Sequence, residues 1–140
     1  MIKILIKKEY TKEMVRNLIS TIKECAREGR FTISFEGSRY ENMQFIEEYN
    51  VTEEKIIDII NLLAVEDFCY GLEYMRDGVI YNNDLYVFCP IKQLYNIKGQ
   101  KETVDIYMRF NIIEIESDVN KYRMILSLHK RNKPITYIFK

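Results

Sequence analysis

"TVDIYMRFNIIEI" at residues 103–115 and "KYRMILSLH" at residues 121–129 decide how this chain folds. Successive side chains of a strand point to opposite faces, and both stretches split cleanly by parity. In the first, Val104, Ile106, Met108, Phe110 and Ile112 go one way; Asp105, Tyr107, Arg109 and Asn111 go the other. In the second, Tyr122, Met124, Leu126 and Leu128 point inward, and Arg123, Ile125, Ser127 and His129 point outward. Each is therefore a strand with one core face and one mostly polar face. "ESDVN" between them reads as a turn, and a hairpin turning near residue 118 sets Tyr107 beside His129 and Arg109 beside Ser127. A register shift of one residue would put the core residues on the wrong face. A shift of two would preserve the faces, so Tyr107, Arg109 and His129 share a patch either way.

Outward from this pair, "DLYVFC" before it and "TYIFK" after it complete four strands, with a long loop at 90–102 and "KRNKP", which contains Pro134, as connections. Upstream the period changes. "TKEMVRNLISTIKECAREGR" places Met14, Val15, Leu18, Ile19, Ile22, Cys25 and Ala26 at helical spacing, with Thr11 as N-cap and Gly29 as stop. "IKILI" ahead of it is an edge strand or an extended arm, and "FTISFE" after it is a short strand or an extended link closed by Gly37. "RYENMQFIEEYN" predicts a short helix with Met43, Phe45 and Ile46 inward. Asn50 ends it and Thr52 caps "TEEKIIDIINLL", whose Glu53 and Glu54 suit the positive end of a helix dipole. "VEDFCYGLEYM" predicts one more short helix. Helices first and antiparallel strands afterwards imply one α+β domain over residues 1–140, its N-terminal helices packed on one face of a C-terminal sheet.

Composition narrows the function classes. At 140 residues, with 47% hydrophobic and 30% charged residues, the chain can bury a real core without disulfides or structural metal. The 21 basic and 21 acidic side chains cancel, so no global field attracts a polyanion and a nucleic-acid role requires a local basic patch. "IKKEYTK", "IKQLYNIKGQK" and "HKRNK" are such clusters, the last two near Tyr95 and Tyr137; they suit single-stranded RNA or a plain solvated surface. Cys25, Cys69 and Cys89 form no metal-ligand spacing, and their odd number argues against a disulfide framework. The start, "MIKILIKKEY", is too short and too interrupted by lysine for a signal peptide, and no run approaches membrane-spanning length. A cytoplasmic protein with reduced thiols and no membrane association is expected.

The polar face of the two strands carries an imidazole, a phenol and a guanidinium, and His129 is the only histidine of the chain. Metal-free RNA cleavage needs a base for the 2′-hydroxyl proton, an acid for the departing 5′-oxygen and a cation for the charged phosphorane. These three groups can share those tasks with no cofactor and no metal.

The same residues carry a resemblance. "YENMQFIEEYNVTEEKIIDIINLLAVEDFCYGLEYMRDG", followed by "DLYVF", "DIYMRF" and "LSLHKRNKPITYIF", resembles the MqsR-like (motility quorum-sensing regulator) family of toxins, particularly its Gram-positive variants. Shared features are an asparagine-aromatic helix, a Leu…Asp-aromatic helix start, a Glu-x-x-Arg-Asp turn, an Ile-Tyr-x-basic strand and a closing Ser-x-His…Pro…Tyr-x-Phe. The match runs in order over about residues 12 to 140. It implies a RelE-like fold and an mRNA-cleaving toxin neutralised by an antitoxin encoded beside it, with DNA contacted only through that antitoxin. The family's strand tyrosine falls on Tyr107, the basic residue two further on falls on Arg109, and the cation or histidine closing the next strand falls on His129. Two positions depart from the family: its helix lysine is replaced by Tyr70, and where others have Gln before an aromatic this chain has Asn83 and Asp84.

The sequence thus predicts a metal-independent endoribonuclease in which His129 is general base or acid, Tyr107 a proton donor or phosphate ligand, and Arg109 the transition-state cation. Arg76 and Lys130 are expected to contact phosphate, with Tyr70 in the RNA-binding set; Arg76 equally suits a surface salt bridge with Asp77 or Glu73. Two other readings stand beside this one. The scaffold can be a non-catalytic module that binds RNA or protein, or the toxin can cut mRNA only on the ribosome.

Overall fold

The structure, a computed structural model, describes residues 2–34, 39–115 and 122–140, with the side chains of 39 and 81–84 left aside. The turn expected at "ESDVN" and the Gly37 stop lie outside the described residues. The chain is α+β: β1 (Ile2–Lys7), α1 (Lys12–Arg27), β2 (Phe31–Ile33), α2 (Arg39–Glu48), α3 (Glu53–Asn61), then β3 (Phe68–Arg76), β4 (Val79–Phe88), β5 (Ile91–Tyr95), β6 (Lys101–Glu114) and β7 (Tyr122–Lys130). The sheet runs β1-β3-β4-β6-β7-β2, with β5 also paired to β6. It is mixed rather than antiparallel throughout, because β2 pairs parallel to β7. The N-terminal half therefore supplies strands at both margins as well as helices.

The caps form as the sequence requires. The Thr11 hydroxyl accepts from Met14 N at 3.1 Å and the Thr52 hydroxyl accepts from Lys55 N at 3.2 Å, each satisfying an otherwise orphaned helix donor. Asn50 ends the α2 turn with φ 46°, a left-handed conformation that asparagine tolerates better than most residues. Val15, Ile19, Ile22, Cys25 and Ala26 of α1 and Ile56, Ile59 and Ile60 of α3 are buried. They share one cluster with Val104, Ile106, Met108, Phe110 and Ile112 of β6 and Met124, Leu126 and Leu128 of β7. Each such side chain taken fully out of water contributes roughly 1.5–3 kcal/mol before entropy is counted.

Four expectations need correction. First, "VEDFCYGLEYM" is not a helix: a single 3-10 turn at Val65–Asp67 leads into β3, which hydrogen-bonds to β1 on one side and β4 on the other. Phe68, Cys69 and Tyr70 are aromatic or compact residues that are buried there, and Gly71 lies where a Cβ would come 2.9 Å from Tyr10 Cζ. Second, the loop expected at 90–102 contains β5. Leu85↔Asn111 through Phe88↔Met108 and Ile91↔Asp105 through Tyr95↔Lys101 keep a single register, so β4 and β5 are one path along β6 interrupted at Pro90, which has no N–H to give. Third, "TYIFK" forms no ladder. Residues 131–140 form an irregular segment, with Tyr137 Oη donating to the Cys89 carbonyl at 2.7 Å. Fourth, Met43 and Met14 are exposed, whereas Asn42 of α2 is buried beside Phe45.

Candidate functional site

The β6–β7 register is the one the hairpin demanded, with Tyr107↔His129, Arg109↔Ser127, Asn111↔Ile125 and Ile113↔Arg123 as direct cross-strand pairs. The Tyr107 and His129 rings stack with centroids 5.1 Å apart and planes 19° from parallel. His129 Nδ1 lies 2.7 Å from the carbonyl oxygen of Lys130 and 3.4 Å from Glu41 Oε2. Both neighbours are acceptors, so the neutral ring carries its proton on Nδ1 and leaves the lone pair on Nε2. Glu41 comes from α2, and it also accepts from Asn132 Nδ2. His129 opens onto a depression of about 310 Å³ lined by Glu41, Gln44, Phe45, Glu48, Lys130 and Asn132.

This face of the sheet is less polar than its parity pattern suggested. Tyr107 belongs to a second apolar cluster with Cys69, Tyr70, Val87 and Cys89, against which Leu72, Ile135 and Tyr137 pack. Tyr70 and Tyr107 influence each other's phenols within this cluster, and the Lys133 ammonium sits 5.0 Å over the Tyr107 ring. Burial, reinforced by Tyr70, holds the Tyr107 phenol well above its ordinary range. Burial raises Tyr70 too and pushes the Cys69 thiol up to about 12. These groups stay protonated at neutral pH. Tyr107 and His129 are each only 5% exposed.

The expected phosphate contacts are distributed differently. Arg109 is half-buried, beside the Tyr107–His129 pair on the same face, and lines a separate groove with Ser127. Lys130 gives its ammonium to Glu48 Oε1 at 2.9 Å and lies over the Tyr49 ring at 5.1 Å. Tyr70 is buried in the second cluster with Tyr107 rather than displayed on the surface. Arg76 is exposed at the far end of β3, next to the Asp77-Gly78 turn, and Glu73 pairs with Lys7 at 3.7 Å instead. Asn83 and Asp84 lie in β4, but their side chains are outside the described set.

Sequence reasoning missed Glu41, Asn42 and Lys133. Asn42 is wholly buried; its Nδ2 donates to the Ser34 carbonyl at 2.7 Å and to Ser127 Oγ at 3.1 Å, and Ser127 Oγ lies 3.2 Å from Asn42 Oδ1. This holds the start of α2 against the strand end that carries His129. The only signal was the "YENMQF" stretch itself, where an amide sits at helical spacing from Phe45. No helix among the described residues is long and apolar enough to cross a membrane. Compared with protein-family models, curated proteins and solved structures, the chain finds no match.

Proposed function

We propose that this protein is a cytoplasmic, metal-independent endoribonuclease toxin of MqsR-like, RelE-like type, held in check by a cognate antitoxin protein and cutting single-stranded mRNA. The observation that carries this reading is the Tyr107–His129 stack, in which Nδ1 of His129 faces the Lys130 carbonyl, so that Nε2 is the nitrogen left to take a proton. In the proposed step the 2′-hydroxyl oxygen attacks phosphorus and its proton passes to Nε2. The bond to the 5′-oxygen then breaks, and the imidazolium returns a proton to it. Tyr107, held protonated by burial, donates a hydrogen bond to a phosphate oxygen, and Arg109 balances charge on the phosphorane.

Purified protein incubated with a long single-stranded RNA in EDTA, without ribosomes, is expected to cut it, and His129→Ala to lose most of that activity. One observation favours a second reading, a binding module with no catalytic role: Tyr107 and His129 are 5% exposed, with the segment carrying Ile135 and Tyr137 packed on the Tyr107 cluster. Intact RNA with wild-type protein would select that reading.

A further inference from the structure

The same face of β6 and β7 that carries Tyr107 and His129 continues away from them as a groove of about 800 Å³. Its lining runs from Arg109 and Ser127 through Asn111 and Ile125 to Ile113 and Arg123, all on one face by register, with Thr32 of β2 and Leu85 of β4 at its sides. Arg109 and Arg123 stand four residues apart along the strands, roughly 13 Å. Neither forms an ion pair among the described residues. Arg109 is half-buried, a setting in which a guanidinium with no carboxylate partner among the described residues favours an anion. Two other half-buried cations are matched, Arg30 with Glu28 and Lys7 with Glu73.

We infer that this groove is a track for the backbone of a single-stranded nucleic acid, with Arg109 and Arg123 each holding a separate phosphate and the floor of Leu85, Ile113 and Ile125 receiving ribose or base faces. Two cations spaced along a groove suit a linear polyanion better than a single small anion, which would engage one of them. Asn111, Ser127 and Thr32 supply neutral polar contacts between the two charges. The Arg109 end of the groove lies two residues from Tyr107 on the same face of β6, so a strand held there passes beside the candidate site. This inference rests on the endoribonuclease reading for the identity of the strand as RNA.

The test uses the full chain and a fluorescent 2′-O-methyl oligoribonucleotide, which has no free 2′-hydroxyl and so cannot be cut by the proposed route. Affinity is followed by anisotropy across a salt series. Arg109→Ala and Arg123→Ala should each weaken binding on the order of tenfold and lower the log–log salt slope by about 0.7. The α1 surface variant Arg16→Ala should bind like wild type. Arg123 is exposed, so its variant should fold normally, and Arg109→Lys, which keeps the charge, should bind better than Arg109→Ala. Equal binding by all variants, a loss in Arg16→Ala as large as in Arg109→Ala, or equal competition by poly-glutamate would overturn the track; the last outcome would assign the groove to an acidic protein segment. Cleavage failing while arginine-dependent binding persists would sink the enzyme and leave the track standing. The converse result would do the opposite.

Discussion

At the scale of single residues, the tautomer of a neutral His129 ring follows from what its Nδ1 faces. Because Nδ1 faces the Lys130 carbonyl at 2.7 Å, nitrogen NMR of the ring should show the proton on Nδ1 and the lone pair on Nε2. The measurement is unambiguous because the chain has one histidine. A predominant Nε2–H tautomer would remove the base from the proposed step. The Asn42–Ser127 contact is a second residue-scale case. Asn42→Ala leaves the Ser127 hydroxyl and the Ser34 carbonyl without the Asn42 amide in a buried setting, and should cost about 1–3 kcal/mol in urea unfolding. Gly71→Ala should destabilise by a similar amount, about 1–3 kcal/mol, because its Cβ would press on the Tyr10 ring. Trimming Tyr10 to Ala in the same chain should recover part of that loss, measured as a double-mutant cycle.

At the scale of elements, the paired strands β6 and β7 were legible because parity and register are both written in alternation: Val104 through Ile112 and Met124 through Leu128 form one continuous apolar face. The helix caps were legible for a local reason, since Thr11 and Thr52 act on donors three residues away; Thr52→Ala should cost about 1 kcal/mol with the fold unchanged by circular dichroism. Strand β3 was not legible. "FCYGLEYMR" is buried at one end and half-exposed at the other, and what makes it a strand is pairing with β1 and β4, which lie far from it in sequence or beyond the Asp77-Gly78 turn. The same holds for β5, whose pairing to β6 passes through the break at Pro90, and for the irregular ending, where Pro134 spoils a ladder that the alternation of Ile135 and Tyr137 imitates. Of the candidate site, Tyr107 beside His129 was readable from register alone. Their burial was not, because it depends on the chain end packing beside Tyr107 and on α2 meeting His129 through Glu41.

At the scale of the whole molecule, the apolar setting of thiols and phenols on both faces of the sheet ties stability to pH. Cys69 is pushed up to about 12 from an unfolded value near 8.5, and Tyr107, Tyr137, Tyr70, Cys25 and Cys89 also move up, each chiefly through burial. The folded state therefore binds more protons than the unfolded chain above the unfolded values. The contribution of these groups is fully present below about pH 8.5 and is lost as pH climbs toward 12. Urea midpoints measured from neutral to strongly alkaline pH should hold steady and then fall, with tyrosinate absorbance rising together with unfolding. A net charge of zero adds no long-range attraction for RNA, so recognition has to come from local features such as the Arg109–Arg123 groove.

The central claim, that His129 moves a proton in metal-independent RNA cleavage, is tested most directly by identifying the product ends by mass spectrometry after reaction in EDTA, with His129→Ala alongside. The account predicts 2′,3′-cyclic phosphate and 5′-hydroxyl ends, lost or strongly reduced in the variant. Products bearing a 3′-hydroxyl, or cleavage undiminished by the variant, would contradict it.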